Sequence, residues 1–217
     1  MHWVSAMFTF LPFLSGCARW RAPRGSAVIL VLGACVRPPA ERLCPPLQEG
    51  ELVITELRGK GAAGAEGLPW LELRNASGRE LDLQGLRLRF RRLDGGAELG
   101  ALVRRAVALS PEGRAVLSLA EDEARPAFAA YGLGEEISEP WFAAAAVQVE
   151  SCEVLVDRVL HPPLPETGTY ALGEPWPAAE LATRNDHPAA WCVDPAGTPS
   201  APGTPGQELS LIHISEP

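Results

Sequence analysis

Four side chains in the second half of this 217-residue chain have the chemistry to handle a proton or a metal: Asp157 and His161, then Asp186 and His187. Asp157 and His161 are four positions apart, and on a strand an even spacing puts both on one face. A tight zinc site needs three or four ligands at fixed geometry, and two separate pairs do not make that set. His161 precedes Pro162-Pro163 and reads as the end of a strand, while Asn185-Asp186 before Pro188 reads as a turn closed by side-chain hydrogen bonds. There is no Gly-x-Ser-x-Gly elbow, and no Ser or Cys has a base beside it. Gly59-Lys-Gly-Ala-Ala-Gly64 matches the dinucleotide fingerprint in letters only. The mechanism needs a helix start directly behind the glycines, and Ala-Glu-Gly-Leu-Pro69 cannot supply one. The expectation is a chain with no catalytic residues, no metal and no cofactor. A metal-dependent secreted hydrolase built on Asp157, His161, Asp186 and His187 is the alternative.

Three further sets bear on binding. Trp141, Phe142 and Trp176 fall in loops and could form a sugar platform, which would make the chain a carbohydrate-binding module; duty as core or loop anchors is the simpler expectation. Arg87, Arg89, Arg91 and Arg92 form a ridge expected to be a solvated strand face, with an acidic partner or lipid headgroups as the functional use. Cys44, Cys152 and Cys192 lie beyond the leader region. In an oxidising compartment a disulfide is expected among them. Cys152–Cys192 is favoured, closing a loop worth roughly 3–4 kcal/mol in the chain-entropy model, with Cys44 free or pairing instead. Trp191, beside Cys192, is expected to plug the end of the core.

From residue 51 onward the body of the chain has a period of two. Leu52–Leu57, Trp70–Arg74, Leu81–Gln84, Leu86–Arg91, Arg114–Leu119, Val147–Val149, Val154–Val159 and Gly168–Leu172 read as strands. In Leu86–Arg91, Leu86, Leu88 and Phe90 point inward and the arginines outward. Asn75–Gly78, Asp94–Gly96 and Ser110–Gly113 are turn chemistry. Only Glu121–Tyr131 looks helical, limited by Pro126 to about two turns. With 21 Gly and 21 Pro, a helical bundle is excluded. The fold class expected is all-β, an immunoglobulin-like β-sandwich with one short helix in a connecting loop.

The ends read as addresses rather than fold. Arg19, Arg21 and Arg24 precede the apolar run Ser26–Ala34, which is too short to span a bilayer but suits a signal peptide. Leu32-Gly-Ala-Cys35 resembles a bacterial lipobox, which implies acyl chains on Cys35 and a firm anchor; Cys17 closes a similar stretch, and the run before it, with no Lys or Arg in front, is expected to precede the true start. Val36, rather than Asp, after Cys35 favours the outer membrane. Residues 36–50 are a Pro-rich tether, 51–208 the β-sandwich domain, and 209–217 resemble translated adapter read-through. Residues 51–208 hold 14 basic and 24 acidic residues, a net of −10. Such a body repels phosphate backbones, so nucleic acid is excluded as a partner. The partners expected are the membrane, through the anchor, and an envelope protein or glycan, with the chain a monomer.

Gly50-Glu-Leu-Val-Ile-Thr-Glu-Leu57, Trp70-Leu-Glu-Leu-Arg-Asn75 and Leu81-Asp-Leu-Gln-Gly-Leu86, with Val156-Asp-Arg-Val159, Trp191-Cys192 and Thr204-Pro-Gly206, resemble in order and spacing the bacterial lamin-tail domain family over about residues 51–206. Arg87 stands where that family often has Trp. The resemblance implies an immunoglobulin-like sandwich used for binding or attachment, often appended to secreted hydrolases, and it confers no catalytic residue.

Overall fold

Leu71 and Leu73, and Leu88 and Phe90, alternate with charged neighbours along the chain, and each pair is fully buried, with no exposed surface. These alternations become strands. The computed structural model describes residues 43–59, 68–92, 94, 96, 98–134, 145–173, 176–195, 197–198 and 201–207, all within the unit Glu41–Pro217. Its strands are β1 (Leu52–Arg58), β2 (Trp70–Asn75), β3 (Leu81–Asp82), β4 (Arg87–Arg92), β5 (Glu98–Leu102), β6 (Ala108–Leu109), β7 (Arg114–Ser118), β8 (Tyr131–Gly132), β9 (Ala145–Ser151), β10 (Val154–Leu160), β11 (Thr169–Leu172), β12 (Trp191–Asp194), β13 (Gly197–Thr198) and β14 (Ala201–Pro202). One sheet runs β12-β11-β1-β2-β7-β8 and a second runs β10-β9-β4-β5, with the two-residue ribbons β3–β6 and β13–β14 beside them. The large sheets are antiparallel apart from the short parallel β7–β8 pair. This is the all-β sandwich expected.

Leu52, Ile54, Leu57, Leu71 and Leu73 of the six-stranded sheet share one core with Leu88, Phe90, Val147, Val149, Val156 and Val159 of the four-stranded sheet. Each such side chain contributes roughly 1.5–3 kcal/mol on burial. Two strands break the period of two, at Ile54/Leu57 and at Val156/Val159, where buried apolar residues are three apart. A β-bulge accounts for each: the register shifts between Ile54 and Glu56 in β1 and between Leu155 and Asp157 in β10. One extra residue per strand restores the inward face.

The helix is not where the sequence pattern put it. Within Glu121–Tyr131 only a single 3-10 turn forms, Asp122–Ala124. Besides the break imposed by Pro126, Asp122 is committed elsewhere, accepting hydrogen bonds from Arg105 and from the Gly132 N–H (2.9 Å). The α-helix, α1, is Ala178–Asn185, in the connection between β11 and β12. It carries Glu180 in its first turn and Arg184 in its last, paired at 3.0 Å and matched to the helix dipole. Eight residues do not hold a helix in water; fully buried Leu181 does, packed in the same core as Tyr170, Leu172 and Trp191. β10 and α1 both pack on β1, so the helix covers core that the narrower sheet leaves open. Trp191 stacks on Tyr170 with ring centroids 4.9 Å apart, which is the plugging role expected of it.

Candidate functional site

Asp157 lies at the junction of the two sheets and the helix. Its Oδ2 accepts the N–H of Ile54, where the β1 bulge begins (2.7 Å), and the Asn185 side-chain amide (2.8 Å). The same amide nitrogen reaches Ile54 O at 3.3 Å, and Trp191 Nε1 donates to Asn185 O at 2.8 Å. Burial pushes the Asp157 carboxyl up to about 7, against the hydrogen bonds from Ile54 and Asn185. His161 is buried with Nδ1 2.8 Å from Pro162 O, and its Nε2 has no hydrogen-bond partner. Burial lowers its pKa, keeping the ring neutral. Asp186 and His187 are exposed at the end of α1. Among the described residues no three His, Cys, Asp or Glu side chains are disposed to hold a metal ion. The pair thought to share a strand face is split by function: Asp157 holds a bulge, and His161 closes the strand.

A second carboxylate pair belongs to no sequence motif. Glu56 and Glu72 are cross-strand partners on the outer face of the six-stranded sheet, and both are buried. Glu72 Oε1 accepts from Thr55 Oγ1 and from the Arg114 guanidinium, each at 2.7 Å, and Oε2 accepts the Gly206 N–H at 2.7 Å. Glu56 Oε1 accepts from the Thr169 hydroxyl and from the Thr204 N–H at 3.2 Å. Burial first, then the neighbouring Glu72 charge, pushes the Glu56 carboxyl up to about 8. The two carboxyl groups thus clasp the backbone of the Thr204-Pro-Gly206 turn. Gly203 makes the approach possible: at φ +81°, a Cβ there would lie 2.2 Å from Glu56 Oε1. The legible signal was a charged residue, Glu72, between two leucines of a strand that is buried along its whole length.

The disulfide corrects the favoured pairing. Cys152 bonds Cys44, not Cys192, with Cα atoms 5.6 Å apart, and Cys192 is an exposed free thiol. The reason is topological. Cys152 and Glu153 form the two-residue turn between β9 and β10, both at positive φ (50° and 72°), whereas Cys192 sits on the edge strand of the other sheet. The chain at Cys44–Pro45 runs beside that turn, where Pro45 O accepts the Ser151 hydroxyl. Leu47 is buried in the core, so the last residues of the Pro-rich stretch are tied to the sandwich. Leu43, Cys44, Gly85, Arg87, Arg89 and Glu150 line a groove of about 460 Å³ at this point.

Arg87, Arg89 and Arg91 lie on the outer face of the four-stranded sheet, alternating with buried Leu88 and Phe90, and Arg92 ends the strand. Arg89 bridges Glu98 (2.6 Å) and Glu150 (2.7 Å), Arg91 pairs with Glu98, and Arg92 with Asp94 (3.0 Å). Trp176 is half-buried against the core, with the Arg184 guanidinium 3.9 Å above its ring, so it anchors α1 and has little face to offer a sugar. Trp141, Phe142, Cys35 and Lys60–Gly64 of the glycine motif lie outside the described residues; Leu68–Pro69 lead directly into β2, a strand and not a helix. No helix among the described residues is long and apolar enough to cross a membrane. No protein-family model matches this chain, and comparison with curated proteins finds no match.

Proposed function

We propose that this protein is a non-enzymatic, lipid-anchored module of the cell envelope, lamin-tail-like in its domain, that binds or scaffolds a partner outside the cytoplasm. The observation that carries this is the Cys44–Cys152 bridge, which spans 108 positions and joins the segment leading from Cys35 to the hairpin of the sandwich. A structural disulfide belongs to an oxidising compartment, and its place at the entry of the tether lets force on the anchor pass into the sheet instead of peeling the chain from it. The burial of the polar groups supports a module without catalysis. Asp157, Glu56 and Glu72 are buried and receive backbone N–H groups, and His161 is buried beside the Pro162 carbonyl. The anchor is tested by labelled palmitate in cells expressing the chain and its Cys35→Ala variant. Label on the first and none on the second is expected; equal labelling overturns the anchor. Crosslinking and capture from envelope extract with the full chain as bait then identifies the partner. Stoichiometric zinc or calcium in the purified protein would return the reading to a hydrolase.

A further inference from the structure

The outer face of the four-stranded sheet carries charge of the wrong sign for the rest of the domain. The registers set Arg87, Arg89 and Arg91 of β4 opposite Glu150, Gln148 and Ala146 of β9 and opposite Leu102, Gly100 and Glu98 of β5. Arg158 of β10 faces Gln148 on the same side, flanked by exposed Leu155 and Leu160. Four arginines meet Glu98 and Glu150 there, with Glu153 at the rim of the groove that Arg87 lines, a local excess of one positive charge within residues 51–208 that sum to −10. Glu98 and Glu150 are used by Arg89 and Arg91. Among the described residues Arg87 and Arg158 have no ion-pair partner, and both are exposed. Leu160 is 56 % exposed, and Leu43, at the rim of the groove it shares with Arg87, is 65 % exposed.

The place of this face matters as much as its charge. Cys44, fixed by its disulfide beside Arg87, is nine residues from Cys35. Fully extended, those residues reach about 30 Å, so an acyl group on Cys35 keeps the face within one domain diameter of the bilayer. We propose that this sheet face, centred on Arg87 and Arg158, docks on the anionic phospholipid surface to which the chain is tethered, with Leu43, Leu155 and Leu160 at the headgroup level. The inference rests on the anchor reading for its geometry, and on charge complementarity for its partner. Arginine guanidinium forks match phosphate oxygens, and basic groups near an anionic leaflet are drawn to it individually. The remaining acidic surface is repelled, which gives the domain one orientation on the membrane.

Arginine footprinting tests this on the full, processed chain. The protein is mixed with vesicles of 30 % phosphatidylglycerol in phosphatidylcholine, or of phosphatidylcholine alone. It is then treated with phenylglyoxal and read residue by residue by mass spectrometry, with exposed Arg104, outside this face, as the internal control. Several-fold protection of Arg87 and Arg158 is expected on the anionic vesicles, lost in 0.5 M salt and absent on the neutral ones. In Arg87→Gln/Arg158→Gln, both exposed positions, protection of Arg91 should weaken about fivefold per charge removed. Co-sedimentation of the same samples separates the two readings. Protein that sediments with both vesicle types while Arg87 and Arg158 stay as reactive as in solution keeps the anchor and overturns the docking face. Protein that does not sediment with neutral vesicles loses the anchor, and the face is then read on anionic vesicles in excess, where unprotected arginines overturn it. Equal protection by soluble polyglutamate would replace the lipid with an acidic protein partner.

Discussion

Asp157, Glu56 and Glu72 show why a carboxylate in this fold is a brace and not a reagent. Each accepts main-chain N–H groups that neither sheet pairs, and a buried N–H left unpaired costs about as much as a lost hydrogen bond. Asp157→Ala strands the Ile54 N–H and leaves the Asn185 amide only its longer contact with Ile54 O; at about 1–3 kcal/mol for a stranded buried group, plus the weakened amide, a loss of roughly 2–4 kcal/mol is expected in urea unfolding. Asp157→Asn should lose less, because one oxygen still accepts. The pH dependence follows from the same groups. Glu56 is raised from 4.5 to about 8 and Asp157 from 3.8 to about 7, so folding takes up protons over those ranges. Stability from these two is therefore complete at the acid end and declines as pH rises through the folded values. Asp122 acts in the opposite sense: its hydrogen bond with Arg105 holds it down to about 2, and its contribution is lost only below 3.8. Urea midpoints should peak at about pH 4–5 and fall toward pH 8.5. Glu56→Gln, which cannot ionise, should flatten the upper part of that fall. A profile that rises from pH 5 to 8.5 would contradict these assignments.

At the scale of elements, the β9–β10 hairpin is constrained both covalently and in its backbone. Its two turn residues, Cys152 and Glu153, both take left-handed backbone angles without being glycine, and two-residue hairpins favour such angles because they match the twist of the flanking strands. The usual Asn-Gly signal is missing, and the bridge to Cys44 holds the turn in its place. For a loop of this length the chain-entropy model gives about 4–5 kcal/mol. Cys152→Ser, or dithiothreitol on the parent, should each lower stability by close to that amount, with Cys192→Ser unchanged in both respects; equal effects of the two substitutions would refute the Cys44–Cys152 pairing. Gly85 belongs to the same device, since a Cβ at this φ of +85° would lie 1.7 Å from Leu43 O. The helix α1 depends instead on tertiary support, through Leu181, Asn185 and the Arg184–Trp176 stack.

Across the whole molecule, the two sheets are joined by more than core contact. β1 pairs with β2 and β11 in one sheet while its bulge is held by Asp157 of β10 in the other, and Gly50 N–H donates to Val156 O at the β10 bulge (2.8 Å). Neither sheet can open without breaking these links. Unfolding by urea should then be one transition, with tryptophan fluorescence and circular dichroism giving coincident midpoints. Two separated transitions would show that the sheets are independent. Because β1 is paired with β11 more than a hundred positions later, folding waits on distant contacts and should take milliseconds to seconds, slower than for a helical domain of this size.

Alternation by itself determined the fold class and the strands β1 to β4, β7 and β9 to β11, because a side-chain period of two is set locally by the backbone. It also placed Arg87, Arg89 and Arg91 on an outer face. It did not reveal the short pairs β5, β6, β8 and β12 to β14, whose existence depends on what lies beside them, nor α1, whose propensity is too weak to stand without Leu181 buried. The Cys44–Cys152 bridge and the carboxylate clasps at Ile54 and Thr204–Gly206 were decided by the tertiary structure alone. They join positions about a hundred or more apart, and nothing in local spacing says which distant N–H or thiol the folded sheets will bring within bonding distance.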